Sequence, residues 1–115
     1  MTNHSPDEAQ IDRMFAALAD PTRRAVVKRL VRGPASVTEL AGDHPIALPS
    51  FLQHVRQLEA AGLIRTEKQG RVRRCTLEAP ALLAVERWII ERRQEWEARL
   101  NRLGTYLDQL EIPDA

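Results

Sequence analysis

At 115 residues the chain is long enough for one domain, and 43% hydrophobic against 29% charged residues exclude a chain that is disordered throughout. No apolar run approaches the roughly 18 residues of a membrane span, and the polar, acidic start lacks a signal-peptide pattern, so we expect a cytoplasmic protein with no membrane partner. The formal net charge of +1 conceals two basic blocks. Residues 21–35 carry five basic residues and no acid, and residues 53–75 carry six basic and two acidic residues. Polyanions are the commonest ligands of such a positive surface, although the same residues could simply solvate helices.

Four helices are predicted before the pattern changes. Each predicted start has a capping residue or a proline that favours a helix N-terminus, and these starts are Ser5-Pro6, Asp20-Pro21, Ser36 and Pro49. Gly33-Pro34 ends the second helix and Gly62 ends the fourth. Residues 63–68 and 72–77 then alternate in polarity around Gly70, which predicts an antiparallel hairpin. From Pro80 to about Leu110 the chain is helical again, so the sequence predicts a mainly α fold in the order α-α-α-α-β-β-α.

The fourth helix has two contrasting faces. At about 100° per residue, Phe51, Val55 and Leu58 form a core stripe, with Leu48 and Leu52 beside it. The opposite face carries small, polar and cationic side chains and no carboxylate, namely Pro49, Ser50, Gln53, Arg56, Gln57 and Ala60. Ser, Gln and Arg can read base edges in a major groove. A polar helix face is more often only solvated, but its position directly before a basic hairpin favours DNA contact. His54 lies toward the apolar flank, which favours a structural, hydrogen-bonded role over base reading.

The hairpin tip is the second candidate contact. Lys68 and Arg71 lie at or beside the turn, where they could bind backbone phosphate or enter the minor groove. Arg73 and Arg74 point to opposite faces of one strand, so only one of them is expected to face DNA. The alternative is that these charges protect an exposed edge strand.

Two stretches carry a family resemblance. ALADPTRRAVVKRLVRGPASVTELA and LPSFLQHVRQLEAAGLIRTEKQGRVRRCTLE resemble, in motif order and spacing, the ArsR-type (ArsR/SmtB) winged helix-turn-helix transcriptional regulators. The resemblance spans about residues 11–110. It implies a homodimer that binds an inverted-repeat operator, usually as a repressor, through a helix-turn-helix of residues 36–42 and 49–61. It also places Ser50 and Gln53 at DNA-contacting positions. We further expect Arg23 or Arg24 to add contacts to the DNA backbone.

The sequence departs from the family in two ways. Ala47 and Leu52 stand where many members have serine, so the operator cannot be borrowed from relatives. Metal sensors of the family carry a Cys-x-Cys pair in the third helix or Asp/His/Glu clusters on the terminal helix. Here the third helix has no cysteine, the terminal helix has no histidine or cysteine, and His4, His44, His54 and Cys75 lack ligand spacing. We therefore expect no metal site and no cofactor. Cys75 could be a redox-sensitive thiol with basic neighbours or a structural residue of a strand.

The terminal helix is predicted to mediate dimerisation. Apolar residues recur at three- and four-residue spacing, interrupted at Arg92 and Arg93. They are Leu82, Val85, Ile89, Trp96, Leu100, Leu103, Leu107 and Leu110, with Phe15 of the first helix as a second contributor. The alternative is that this helix packs only on its own domain.

Together these features predict one winged helix-turn-helix domain over residues 1–115. Its DNA-binding core spans about residues 21–78, and its dimerisation helices span about 6–19 and 80–110. An enzyme is not expected, because the sequence has no glycine-rich phosphate loop and no nucleophile paired with a base. The predicted function is a homodimeric repressor of double-stranded DNA without metal sensing. The alternative is a winged-helix module for protein contact with weak, sequence-blind DNA binding.

Overall fold

The elements follow the predicted order, with one strand added. The computed structural model describes residues 7–110. Its helices are α1 (Glu8–Leu18), α2 (Pro21–Leu30), α3 (Val37–Gly42), α4 (Leu48–Ala60) and α5 (Ala79–Gln109), and its strands are β1 (Ala35–Ser36), β2 (Ile64–Gln69) and β3 (Val72–Leu77). This arrangement confirms the mainly α fold with a small hairpin and a long C-terminal helix.

Local caps explain where α1, α2 and α3 start. Asp20 accepts the backbone N–H of Arg23 at 3.1 Å and Pro21 occupies the first turn of α2, as predicted. Ser36 Oγ accepts the N–H of Glu39 at 3.0 Å and donates to Glu39 Oε1 at 3.1 Å, which confirms Ser36 as the predicted cap of α3. The predicted Ser5-Pro6 start lies outside the described residues. The N-cap of α1 is instead Asp7, whose carboxylate accepts the N–H of Gln10 at 2.7 Å.

The sheet is antiparallel with the strand order β1-β3-β2. Gly70, at φ 64°, begins the two-residue turn between β2 and β3, where a residue with a Cβ would be strained. β1 was not predicted, because it is only two residues long and pairs with β3 about forty positions later, Ala35 opposite Cys75. No local pattern in the sequence predicts such a pairing.

The core fixes the orientation of α4. Phe51 and Leu58 are completely buried and Val55 is nearly so, as the predicted core stripe requires. They join buried side chains from the other elements of the fold, among them Met14, Val26, Leu40, Leu63, Ile64 and Cys75. Because one stripe of α4 is held in this core, its opposite face is turned to solvent.

The chain forms two compact units that divide between Val85 and Glu86. Val85 was predicted to contact a partner chain. It is only 8% exposed and belongs to the core of the first unit together with Ala81, so that prediction is wrong. Leu82 and Phe15 are partly buried. In the second unit, by contrast, large apolar side chains are exposed along α5. Within residues 7–110, no helix has the length and apolar character needed to cross a membrane.

Candidate nucleic-acid interface

The outer face of α4 is open to solvent. All six residues predicted there are exposed, namely Pro49, Ser50, Gln53, Arg56, Gln57 and Ala60. Arg56 Nη1 donates to Gln53 Oε1 at 3.3 Å, so a cation and an amide stand side by side at the middle of this face. The face offers donors and acceptors without a carboxylate that would repel a nucleic-acid backbone.

The N-terminus of α4 has no side-chain cap. Its N-cap residue is Ala47, which has no hydrogen-bonding side chain, and Pro49 in the first turn has no N–H. Leu48 was predicted to lie beside the core stripe, but its side chain is exposed. It is the first residue of the helix, so no preceding turn covers it.

The hairpin is joined to α4 by one carboxylate. Glu59 Oε2, near the end of α4, accepts the backbone N–H of Thr66 at 3.0 Å and the Thr66 hydroxyl at 2.7 Å. Arg73 Nη1 then donates to Thr66 Oγ1 at 2.8 Å. Thr66 lies on the edge strand β2, so Glu59 satisfies an edge N–H and fixes the position of the hairpin relative to the helix.

The strand register separates the two arginines of β3. Arg73 lies opposite Lys68, on the side of the sheet that also carries Thr66 and buried Cys75. Arg74 lies opposite Glu67 and beside Ser36, on the other side. The predicted separation onto opposite faces is therefore confirmed, and the α4 side carries Arg73 and Lys68.

Arg23 and Arg24 are engaged within their own chain. Arg23 donates from Nε to Ala17 O at 2.6 Å and from Nη2 to Ala16 O at 3.1 Å, and Arg24 Nη1 donates to Leu18 O at 2.9 Å. These carbonyls belong to the last turn of α1, where backbone partners run out, although Ala16 O also accepts the N–H of Ala19 at 3.2 Å. The two arginines therefore cap the end of α1, and Arg23 in particular has little hydrogen-bonding capacity left for a phosphate.

His54 is hydrogen-bonded as predicted. Arg23 Nη1 lies 3.0 Å from His54 Nδ1, within hydrogen-bond distance. Asp20 Oδ2 lies 3.8 Å from the same nitrogen. The backbone N–H of Arg23 lowers the pKa of Asp20, with the neighbouring His54 and Arg23 side chains contributing in the same direction. This cluster ties α4 to the turn between α1 and α2.

Cys75 is fully buried in β3. Burial raises the pKa of its thiol, and the nearby Glu59 carboxylate acts in the same direction, whereas Arg73 opposes both. Basic neighbours therefore do not lower this pKa, because loss of solvation outweighs one nearby cation. A thiol that is buried and stays protonated suits the structural role.

Two contributors to this region were not identified from the sequence. The role of Glu59 depends on how closely β2 approaches the helix, and exposure of Leu48 depends on where α4 begins. Neither follows from periodicity alone. Within residues 7–110, no group of three or more His, Cys, Asp or Glu side chains is placed to hold a metal ion.

A short helix, a turn, an exposed second helix and a basic hairpin attached to that helix define the winged helix-turn-helix class of DNA-binding proteins. A helix-turn-helix domain model matches residues 18–67. The HTH-type transcriptional regulator Rv2034 of Mycobacterium tuberculosis is 43% identical over 74 residues, which are 64% of this chain and 69% of that protein. The transcriptional repressor SdpR of Bacillus subtilis is 26% identical over 80 residues, covering 70% of this chain and 89% of that protein.

Solved structures agree with these matches. The crystal structure of an ArsR family transcriptional regulator is 53% identical with a TM-score of 0.76, and covers 81% of this chain and 96% of its own. An ArsR-like transcriptional regulator from Rhodococcus sp. RHA1 is 30% identical with a TM-score of 0.75, covering 85% of this chain and 92% of its own. The chain belongs to the ArsR family, and it is a DNA-binding transcriptional regulator.

Proposed function

We propose that the protein is a homodimeric repressor that acts in the cytoplasm and recognises an inverted-repeat operator, one half-site for each α4. The observation that carries this proposal is the exposed outer face of α4, which lacks a carboxylate and stands beside a basic hairpin that Glu59 holds in place. Ser50, Gln53 and Gln57 would read base edges, and Arg56 would reach a base or a phosphate.

The hairpin tip would bind the DNA backbone or the adjacent minor groove. Within residues 7–110, neither Lys68 nor Arg71 makes a side-chain hydrogen bond or ion pair, so both cations are available to an external anion. Arg73 shares the α4 side of the sheet with Lys68, which supports it over Arg74 as the third contact. Arg23 would contribute little, because its donors already serve the end of α1 and His54, whereas exposed Arg24 has one such bond and would still add a backbone contact.

Dimerisation would be mediated by an apolar stripe of Ile89, Trp96, Leu100, Leu103 and Leu107 in α5 and of Leu110 directly after it. At about 100° per residue these six fall within an arc of about 80°, and each is between 45% and 57% exposed. Leaving such a stripe in water is unfavourable, and a second copy of the same helix would cover it. Arg92 and Arg93, which interrupt the stripe, pair with Glu95 at 3.0 Å and Glu97 at 3.4 Å in the same helix.

Dimerisation also explains how one short helix could give specificity. Two α4 helices about 34 Å apart would read half-sites one turn of DNA apart. Leu82 and Phe15 would add contacts near the start of α5 and on α1. Repression is supported by the similarity to SdpR, and a role without metal by the missing Cys-x-Cys pair in α3.

The test is selection of fragments of the source genome by the purified full-length protein, followed by titration of the best fragment against scrambled DNA at physiological salt. We expect a preference of about a thousandfold for an inverted repeat. The preference should survive EDTA and added zinc. Weak binding of all fragments alike would overturn the proposal and favour the protein-contact module.

A further inference from the structure

The start of α4 exposes an apolar surface that the proposed roles do not use. Ile46 is 39% exposed, and Leu48, the first residue of the helix, is 54% exposed. These two side chains are called the apolar lip below. Pro45, Ala47 and Pro49 between and beside them are exposed as well. All five side chains from residue 45 to residue 49 are apolar, so none of them can form a hydrogen bond.

The backbone that carries the apolar lip is fixed. The ring of His44 stacks on buried Phe51 with centroids 5.5 Å apart and planes 25° apart. The N–H of Ile46 donates to His44 O at 2.9 Å across Pro45, whose ring restricts φ to the value that such a turn requires. The backbone beneath the lip therefore has a defined conformation before any ligand arrives, and little backbone entropy would be lost when the lip binds.

The location of the lip points to base edges. In helix-turn-helix complexes, the N-terminal residues of the recognition helix contact the bases, and the lip directly precedes Ser50. The apolar group that a major groove presents is the 5-methyl group of thymine. Against any other base edge, Ile46 and Leu48 would cover polar groups without pairing them, which is unfavourable.

We propose that the apolar lip is a specificity determinant that selects thymine, with Leu48 and Ile46 in contact with thymine 5-methyl groups in each half-site. This inference rests on the proposed function. DNA is the occupant that the neighbourhood favours, because Pro49 joins the lip to the carboxylate-free face of α4 and that face carries Arg56. A second copy of the chain would have to cover this charge as well.

The experiment replaces each thymine of the selected operator in turn by deoxyuridine, which removes one methyl group and leaves base pairing unchanged. The unmodified protein should bind about threefold to fourfold more weakly for each contacted methyl group removed. Leu48→Ala should weaken binding to the unmodified operator by about fivefold and should no longer respond to deoxyuridine at the same positions. Alanine is a good helix former and Leu48 is exposed, so this variant should fold.

Val31→Ala is the matched control, because Val31 is an apolar side chain that is 64% exposed beyond the end of α2. It should retain both the affinity and the deoxyuridine response. A second arm places 5-methylcytosine at a position mutated from thymine to cytosine, and the restored methyl group should recover part of the binding.

Several results would overturn the inference while leaving the proposed function intact. These are specific binding that ignores deoxyuridine at every position, an operator without thymine in its half-sites, or an equal loss by Leu48→Ala on specific and random DNA. A change of oligomeric state in Leu48→Ala without a methyl effect would assign the lip to protein contact instead. Failure of the proposed function would look different, because no DNA fragment would then be preferred.

Discussion

The two units of the chain differ in how far their large apolar side chains are buried. In the winged unit, up to Val85, large side chains such as Phe51 and Leu58 are buried in a core. From Glu86 onward, Trp96, Leu100 and Leu103 are about half exposed. The first unit completes its core within one chain, whereas the second exposes a stripe whose burial requires a partner. The proposed base-reading residues and most of the proposed dimer contact therefore lie in separate units, so substitutions can test the two roles separately.

The largest effect, on the strength of the dimer, is expected from charges placed in the exposed apolar stripe of the second unit. Leu100→Glu combined with Leu103→Glu would place two charges in the proposed dimer contact, and we expect the dimer to weaken about a hundredfold or more. Sedimentation equilibrium measures this change directly. Asn101→Glu is the matched control, because this exposed position lies on the other side of α5. If both variants remained equally dimeric, the stripe would not be the contact.

The next effect concerns base reading by the winged unit. Gln53→Ala removes a side chain that can pair with a base edge, so we expect about a tenfold to hundredfold loss on the operator and little change on random DNA. Titration of both DNAs by fluorescence anisotropy gives the ratio. Gln94→Ala, an exposed glutamine of α5, should change neither. An equal loss on both DNAs would refute a reading role for Gln53.

A smaller effect should separate two arginines of the winged unit. Arg71→Ala should weaken operator and random DNA alike and reduce the salt slope of binding by about one. Arg23→Ala should instead lower thermal stability and leave the salt slope unchanged, because the hydrogen bonds of Arg23 go to Ala16, Ala17 and His54. DNA affinity measured from low to physiological salt gives the slope for each variant. Identical slopes for Arg71→Ala and the unmodified chain would contradict the phosphate role.

The smallest effect is a pH dependence at the α2 cap. The pKa of Asp20 is lower in the folded chain than its ordinary value of 3.8, since its carboxylate accepts the N–H of Arg23. The resulting stabilisation is present above pH 3.8 and is lost as the pH falls through the lower folded value. Asp20→Asn should therefore show a shallower loss of stability in acid, as measured by urea unfolding from pH 6 downward. The same acid limb in both proteins would contradict this role.

The sequence predicted what depends on local periodicity and capping. The core stripe of α4, its six exposed outer residues, the hairpin around Gly70 and the caps Asp20 and Ser36 were all predicted from spacing of a few residues. What was missed depends on contacts between distant segments. Pairing of Ala35 with Cys75, attachment of Glu59 to Thr66 and engagement of Arg23 by the end of α1 each join elements whose approach no local pattern encodes.

Val85 and Leu48 also show that the spacing of apolar residues does not by itself predict which of them are buried. Both are apolar residues at helical spacing, and spacing alone placed Val85 at a dimer contact and Leu48 beside the core. The structure reverses both, because α5 enters the core of the winged unit at its start and α4 begins with Leu48. Periodicity identifies an apolar face, but the ends of a helix decide which of its residues are covered.

In the proposed dimer, two winged units read two half-sites together. The sharpest test of joint reading is to insert about five base pairs between the half-sites of the selected operator, which turns one half-site to the opposite side of the duplex. A matched DNA keeps the spacing and changes only the sequence of the spacer. We expect the insertion to reduce affinity to that of random DNA, while the matched DNA binds close to normally. Unchanged affinity after the insertion would mean that each winged unit reads DNA alone, and would refute joint reading by a dimer.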